Sequence, residues 1–237
     1  MTDQSPLAGM APTEDYVVDE HLNFMFEIET ERVYHLLPAH VAPKEPRPGM
    51  SLVNVGYMKF DASLIGGDTE TIELTSSIVI DPDLSLDMPM PRMCVYDFRI
   101  ASNCKVFLEH EDRVQKLKGM FLPGLSRSLD RTGGHLEVFD DEGPIFTLKN
   151  PNPEPLYKYE VATGQYISQH PDGLYQGVFL WEGVGAEQQF DGDCGQLFAH
   201  SFLEEIPVEA VGDCYLQMFL PPRTNVLFRS FIPRKLI

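Results

Sequence analysis

Apolar and polar positions alternate in short bursts along most of this chain, and few stretches repeat at helical spacing. Phe24–Ile28, Ser51–Phe60, Thr69–Ile80 and Met93–Ala101 read as strands, with Gly66-Gly67 as a turn between the second and the third. Shorter strand-like pieces follow at His135–Phe139, Ile145–Lys149, Leu156–Val161 and Leu174–Trp181, most of them bounded by Gly, Pro or Asp. The last third ends in two more, Tyr215–Leu220 and Val226–Phe228. Helical signals are few. Thr30 is placed to cap a short helix over Glu31–Leu37 that Pro38 ends. A second helix is expected over Leu108–Lys118, with Lys116 and Lys118 near its end and Gly119 beyond, and a third near Gln196–Leu203. Leu36–Gly49, with four prolines, has to be an extended loop, and Asp81–Pro91 is a Pro- and Met-rich connection. The pattern predicts a mainly β (α+β) chain: a loose acidic lead-in over residues 1–19, then one domain over residues 20–237.

Length allows this, since 237 residues suffice for one sizeable core. Charge narrows the partners. Thirty-six Asp and Glu against 18 Lys and Arg give a net charge of −18, which argues against nucleic acid, because phosphate binding needs a basic surface. No apolar run approaches the roughly 20 residues of a membrane span, and the N-terminus lacks a signal-peptide core, so no membrane partner and a cytoplasmic location are expected. The four cysteines form no CxxC pair and the seven histidines no HxH or HExxH spacing; no metal is expected. No phosphate loop, dinucleotide fingerprint or Gly-x-Ser-x-Gly elbow is present, and no cofactor is implied.

One residue breaks the apolar pattern in an informative way. Glu73 stands in the middle of TETIELTSSIVI, where a carboxylate is a poor strand former and costly to bury. Pointing inward, it becomes a candidate acid/base; pointing outward, it is a solvated charge. Glu70, three residues earlier, falls on the opposite strand face.

The order of several phrases resembles the acetoacetate decarboxylase family. Ile206-Pro207-Val208 leads to the strand Tyr215–Leu220, then Pro222-Arg223, then Val226–Phe228. Leu37-Pro38, the pair Glu73 and Ile78, and Tyr96-Asp97 follow the same order upstream. The resemblance implies antiparallel β-sheets enclosing a cavity, a few short helices, a homo-oligomer, and decarboxylation of a β-keto acid through a lysine imine. Such a lysine, protonated at neutral pH by default, has to be activated by desolvation or a neighbouring cation. In this chain the family's Pro-Lys phrase corresponds to Pro123-Gly124, with Gly124 in the lysine's place. Lys116 and Lys118 are then the nearest substitutes, with Glu73 as the proton shuttle. The family's carboxylate-binding arginine has His21 and Asn23 near its position and Arg32 displaced into the following helix; Tyr57 joins His21 and Arg32 on the substrate side. Apolar Met88–Met93 adds to the expectation of a homo-oligomer.

Two readings follow. The first is a lyase acting on a small β-keto acid or related carbonyl or carboxylate compound. The second is a divergent member without imine chemistry, keeping a β-walled cavity for a small apolar ligand.

Overall fold

The computed structural model describes residues 12–82, 93–130, 134–149, 158–189, 194–220 and 226–237. The strands are β1 (Pro12–Glu29), β2 (Met50–Phe60), β3 (Thr71–Val79), β4 (Met93–Ser102), β5 (Gly119–Phe121), β6 (Ser126–Asp130) and β7 (His135–Phe139). There follow β8 (Pro144–Lys149), β9 (Lys158–His170), β10 (Gly173–Gln189), β11 (Gly195–Leu197), β12 (Cys214–Leu220), β13 (Val226–Phe231) and β14 (Arg234–Lys235). Two α-helices, α1 (Thr30–Val33) and α2 (Lys105–Val114), interrupt them.

The large sheet closes on itself. From β1 the hydrogen bonding passes through β2, β3, β4 and β9 to β10, and β12 and β13 complete the ring by each pairing with both β10 and β1. The C-terminal run is therefore the stave that shuts the barrel, laid end to end in two short strands; residues 221–225 lie outside the described residues. The ring is antiparallel except where β4 meets β9 in parallel, which is possible because α2 and a separate four-stranded sheet carry the chain between them. That second sheet, in the order β11-β8-β7-β6, packs against the outside of the barrel.

Side-chain alternation sorts most of the core into two large clusters, with Val178, Leu180 and Phe231 forming a small third one. Phe24, Phe26, Val53, Val55, Leu74 and Ile78 face outward onto Val138, Ile145 and Phe146 of the small sheet. Tyr16, Phe60, Val95, Ile100, Tyr166 and Trp181 face the barrel interior, where Phe107 and Leu108 of α2 and Leu117 beyond it join them. In β1 the inward set changes parity. Tyr16 and Val18 point in, the register against β2 shifts between Val18 and Glu20, and from there the apolar even positions Leu22, Phe24 and Phe26 point out. A one-residue bulge of this kind exchanges the faces of everything that follows. It brings His21, Asn23 and Met25 to the inner face.

Several elements differ from the sequence-based expectation. Residues 12–19 of the expected lead-in belong to β1, which begins at Pro12 and pairs with β13 through residue 18; residues 1–11 lie outside the described residues. Helix α1 is capped at Glu29, not Thr30, whose hydroxyl bonds the Ser51 hydroxyl at 2.8 Å; a 3-10 turn over Tyr34–Leu36 continues it. Helix α2 starts at Lys105 and stops at Val114, so Lys116 and Lys118 lie beyond it in the connection to β5. Lys116 takes the left-handed conformation that ends helices, with φ of 61°. Gln196–Leu203 forms β11 and a 3-10 turn over Ser201–Leu203. Residues 83–92, which include most of the Met-rich connection and of Met88–Met93, lie outside the described residues.

Candidate functional site

The barrel encloses a cavity of about 70 Å³. Its polar lining comes in rungs, because residues paired across neighbouring strands share a face. His21 of β1 stands opposite Met58 of β2, which stands opposite Glu73 of β3. The next rung is Asn23, Gly56 and Thr75, and all six residues border the cavity. Gly56 is required there: a Cβ at this position would overlap Thr75 Oγ1 and lie 3.1 Å from Asn23 Oδ1.

Beside β3 in the sheet, β4 supplies Asp97. The register between β3 and β4 slips between Ser76 and Ser77, leaving Phe98 without a paired residue. Asp97 therefore joins Val95 on the cavity side, and Arg99 faces out to Glu204, which it meets at 2.5 Å, and Glu205. Helix α2 contributes the third carboxyl group. Phe107, Glu111 and Gln115 recur every four residues and so share one face, which covers the cavity. Gln115 Oε1 accepts the Tyr166 hydroxyl at 2.8 Å, tying the helix end to β9.

Burial sets the charge states. Desolvation pushes the Asp97 carboxyl up to about 7, so this acid titrates near neutrality. The same effect lowers His21 to about 4, leaving a neutral imidazole; the Asn23 amide donates to its Nε2 at 2.8 Å. Asn54, also in the lining, donates to Ser77 Oγ at 3.0 Å, and its Oδ1 has no hydrogen-bond partner. Apart from Ser230, the remaining wall is apolar and aromatic, including Tyr16, Phe107, Phe179 and Phe228. Among the described residues, no lysine or arginine lines the cavity.

The residues singled out from sequence divide accordingly. Glu73 and His21 face the cavity and are brought together on one rung. Tyr57 borders it from β2, but its ring belongs to the outer cluster beside Phe146, 6.4 Å between centroids. Its hydroxyl donates to Glu20 at 2.7 Å, and Glu20 accepts two further bonds from Arg127 of the small sheet. Burial and the Glu20 charge both raise the Tyr57 phenol, so it stays neutral and binds the two sheets together. Arg32 is exposed, paired with Glu29 at 2.8 Å and outside the cavity lining. Lys118 is exposed, and Lys116 turns toward Asp172 and the Tyr175 ring, 5.8 Å away; neither reaches the cavity, where Leu117 between them points instead. Gly124 also lies outside the lining, against the Asp141 carboxylate, so Pro123-Gly124 does not mark the cavity position. Asp97 and Glu111 join the site from outside the sequence-based candidates. Asp97 could have been found as a carboxylate inside the apolar run MCVYDFRIA, whereas Glu111 is hidden among the polar residues of its helix.

No family model matches the sequence, and no curated protein matches it. Solved structures do. Acetoacetate decarboxylase from Legionella pneumophila subsp. pneumophila superposes with a TM-score of 0.60 at 8% identity, over 100% of this chain and 92% of its own. The enduracididine biosynthesis enzyme MppR in complex with pyruvate gives 0.58 at 10% identity, over 97% and 93%. MppR with the condensation product of pyruvate and imidazole 4-carboxaldehyde gives 0.52 at 9%, over 99% and 95%. The chain thus has the acetoacetate decarboxylase-like fold, as the order of its sequence phrases implied.

Proposed function

We propose that this acetoacetate decarboxylase-like barrel is a lyase for a small carbonyl compound, working by proton transfer between carboxyl groups in place of a lysine imine. The observation that carries this reading is the convergence of Glu73, Asp97 and Glu111 from three different elements on one buried cavity that no lysine of the described chain lines. A carboxylate removes the proton next to the carbonyl, the C–H electron pair becomes the enol double bond, and a carboxylic acid protonates the carbonyl oxygen. The enol then loses that proton to a carboxylate as its O–H pair re-forms the carbonyl, the enol π pair moves to make a double bond between the α and β carbons, and the β-substituent departs with its bonding pair and takes up a proton from a carboxylic acid. Asp97, titrating at about 7, suits both directions of transfer at neutral pH. Glu73 acts as the second carboxyl group, and the neutral His21 orients substrate without adding charge. That two of the structural neighbours are complexes of pyruvate or its condensation product agrees with a small carbonyl ligand.

The test is deuterium exchange. Hydroxyacetone and pyruvate are incubated with the protein in D₂O, and loss of the α-proton signals is followed by NMR for the wild type, Asp97→Asn and Glu73→Gln. Catalysed exchange of either compound, lost in both variants, is the expected result. Binding without exchange overturns the enzyme reading in favour of a ligand-binding cavity. A borohydride-trapped adduct on any lysine overturns the imine-free mechanism.

A further inference from the structure

We infer that the carbonyl compound taken by this cavity carries a hydroxyl group close to its carbonyl, and that Asn54 selects for it by accepting its hydrogen bond. The inference rests on the proposed reading and adds to it a group on the substrate and the residue that recognises it. Asn54 is almost wholly buried, at 1% exposure, and lies in the lining; its Oδ1 has no hydrogen-bond partner. An acceptor buried without a donor is costly, and a ligand that supplies the donor removes that cost.

The orientation of this amide is fixed from one side. Its Nδ2 donates to Ser77 Oγ at 3.0 Å, and the single Ser77 hydroxyl proton is directed at the Asn54 backbone carbonyl oxygen at 3.4 Å. Ser77 therefore offers the amide a lone pair, which calls for the NH₂ group and turns Oδ1 away from it. The neighbours of Asn54 on the same face bring no side-chain donor: Met25, opposite it on β1, has none to give, and Gly56, two residues along β2, has no side chain. The other carboxamides of the lining are engaged, Asn23 with His21 Nε2 and Gln115 with the Tyr166 hydroxyl.

The rung places this acceptor beside the chemistry. Asn54 stands opposite Ser77, and Ser77 stands opposite Asp97, which also lines the cavity. Two strand spacings, roughly 10 Å, separate the backbones of Asn54 and Asp97. With a hydrogen bond at each end, that gap takes a ligand whose two oxygens are joined by roughly two or three carbons, the hydroxyl at Asn54 and the carbonyl at Asp97. A hydroxyl suits the rest of the wall, because it is small and uncharged, and Phe107, Phe179 and Phe228 make the neighbouring surface apolar.

The experiment compares ketones matched with and without the hydroxyl: hydroxyacetone against acetone, and 4-hydroxybutan-2-one against butanone. Each is titrated into the full chain at pH 7, with binding followed by ¹⁵N–¹H NMR, and α-proton exchange in D₂O is measured in parallel. The hydroxylated member of at least one pair is expected to bind about tenfold more tightly, the scale of one buried hydrogen bond made or left unmade. It is also expected to shift the Asn54 side-chain amide signals, which its deoxy partner leaves in place. Asn54→Leu and Asn54→Ala, each checked for folding by its melting curve, should abolish the preference while still taking the deoxy ketone. Equal binding within both pairs overturns the inference, and catalysed exchange of any of these ketones would then leave the proton-transfer reading standing. A preference that persists in a folded Asn54 variant, or that arises without a shift of the Asn54 amide, overturns the part given to Asn54. Preferential binding without exchange keeps the hydroxyl assignment and removes the proton-transfer reading. If none of the ketones binds or exchanges, both fall.

Discussion

Asp97 stands opposite Ser77 across β3 and β4, while Arg99 stands opposite the preceding residue, Ser76. The intervening Phe98 has no paired residue, and this single slip sends an acid into the barrel and a cation out of it. The Arg99 guanidinium is bound outside by Glu204 and Glu205, and its charge is not available to Asp97.

The first prediction concerns pH. Asp97 is raised from 3.8 to about 7 in the folded chain, so between these values the folded state holds a proton that the unfolded state has lost. Its contribution to stability is present at pH 4 and is lost as pH rises to 7, by an amount on the order of 4 kcal/mol. His21 runs the other way: lowered from 6.5 to about 4, it contributes stability above pH 6.5 that is lost as pH falls to 4. Urea denaturation at pH 5, 6.5 and 8 should show Asp97→Asn more stable than the wild type at pH 8, with the gain shrinking toward pH 5. A constant difference across the three pH values would place Asp97 in a solvated site.

Glu73 supplies the second test. Replacing it with Gln keeps size and hydrogen bonding and removes titration. On the proposed mechanism this costs roughly 10²-fold or more in exchange rate, the usual scale of acid–base catalysis. A melting curve of the variant shows that it folds, so that a loss of exchange reports chemistry at the buried side chain, 7% exposed. Full activity in Glu73→Gln would remove this residue from the mechanism.

Much of the architecture was legible because strands announce themselves by alternation. Ser51–Phe60, Met93–Ala101 and His135–Phe139 lie within a residue of β2, β4 and β7. The faces were not legible. Leu22, Phe24 and Phe26 mark an apolar face plainly, and the usual inference puts His21 and Asn23 in water; in a barrel with a second sheet packed outside, that other face is the interior. The bulges in β1 and β4 depend on pairing with strands far along the chain, and local sequence carries no sign of them. Glu73 was found because a carboxylate amid Thr and Ile is conspicuous in any strand. Lys116 and Lys118 were chosen by nearness in sequence, and the early end of α2 turned both away from the cavity.

Those two lysines give the third prediction. Lys116→Ala and Lys118→Ala should each retain exchange activity within about twofold, and borohydride reduction with pyruvate should add no mass to the wild type. Lys116 also occupies a left-handed conformation at φ 61°, which favours glycine. Lys116→Gly is therefore expected to be neutral or stabilising by up to about 1 kcal/mol, even with its contacts to Asp172 and Tyr175 gone. A loss of activity in either Ala variant without a change in melting would bring lysine chemistry back.

The last prediction tests the rung that floors the cavity. A methyl group on Gly56 would collide with Thr75 Oγ1, a side chain held between two hydrogen-bonded strands, and would press on Asn23 Oδ1 as well. Gly56→Ala should destabilise the chain by roughly 1–3 kcal/mol, the ordinary cost of overpacking. If the collision with Thr75 is the cause, shortening that side chain removes most of it: Gly56→Ala combined with Thr75→Ala should recover at least half of the loss. Thr75→Ala alone should cost less than the Gly56 change, since it opens space in place of filling it. The two substitutions are therefore expected to couple by about 1 kcal/mol or more, as contacting residues do. Additive effects would mean that Thr75 does not occupy the space above Gly56, and the placement of Asn23, Gly56 and Thr75 on one rung would have to be given up.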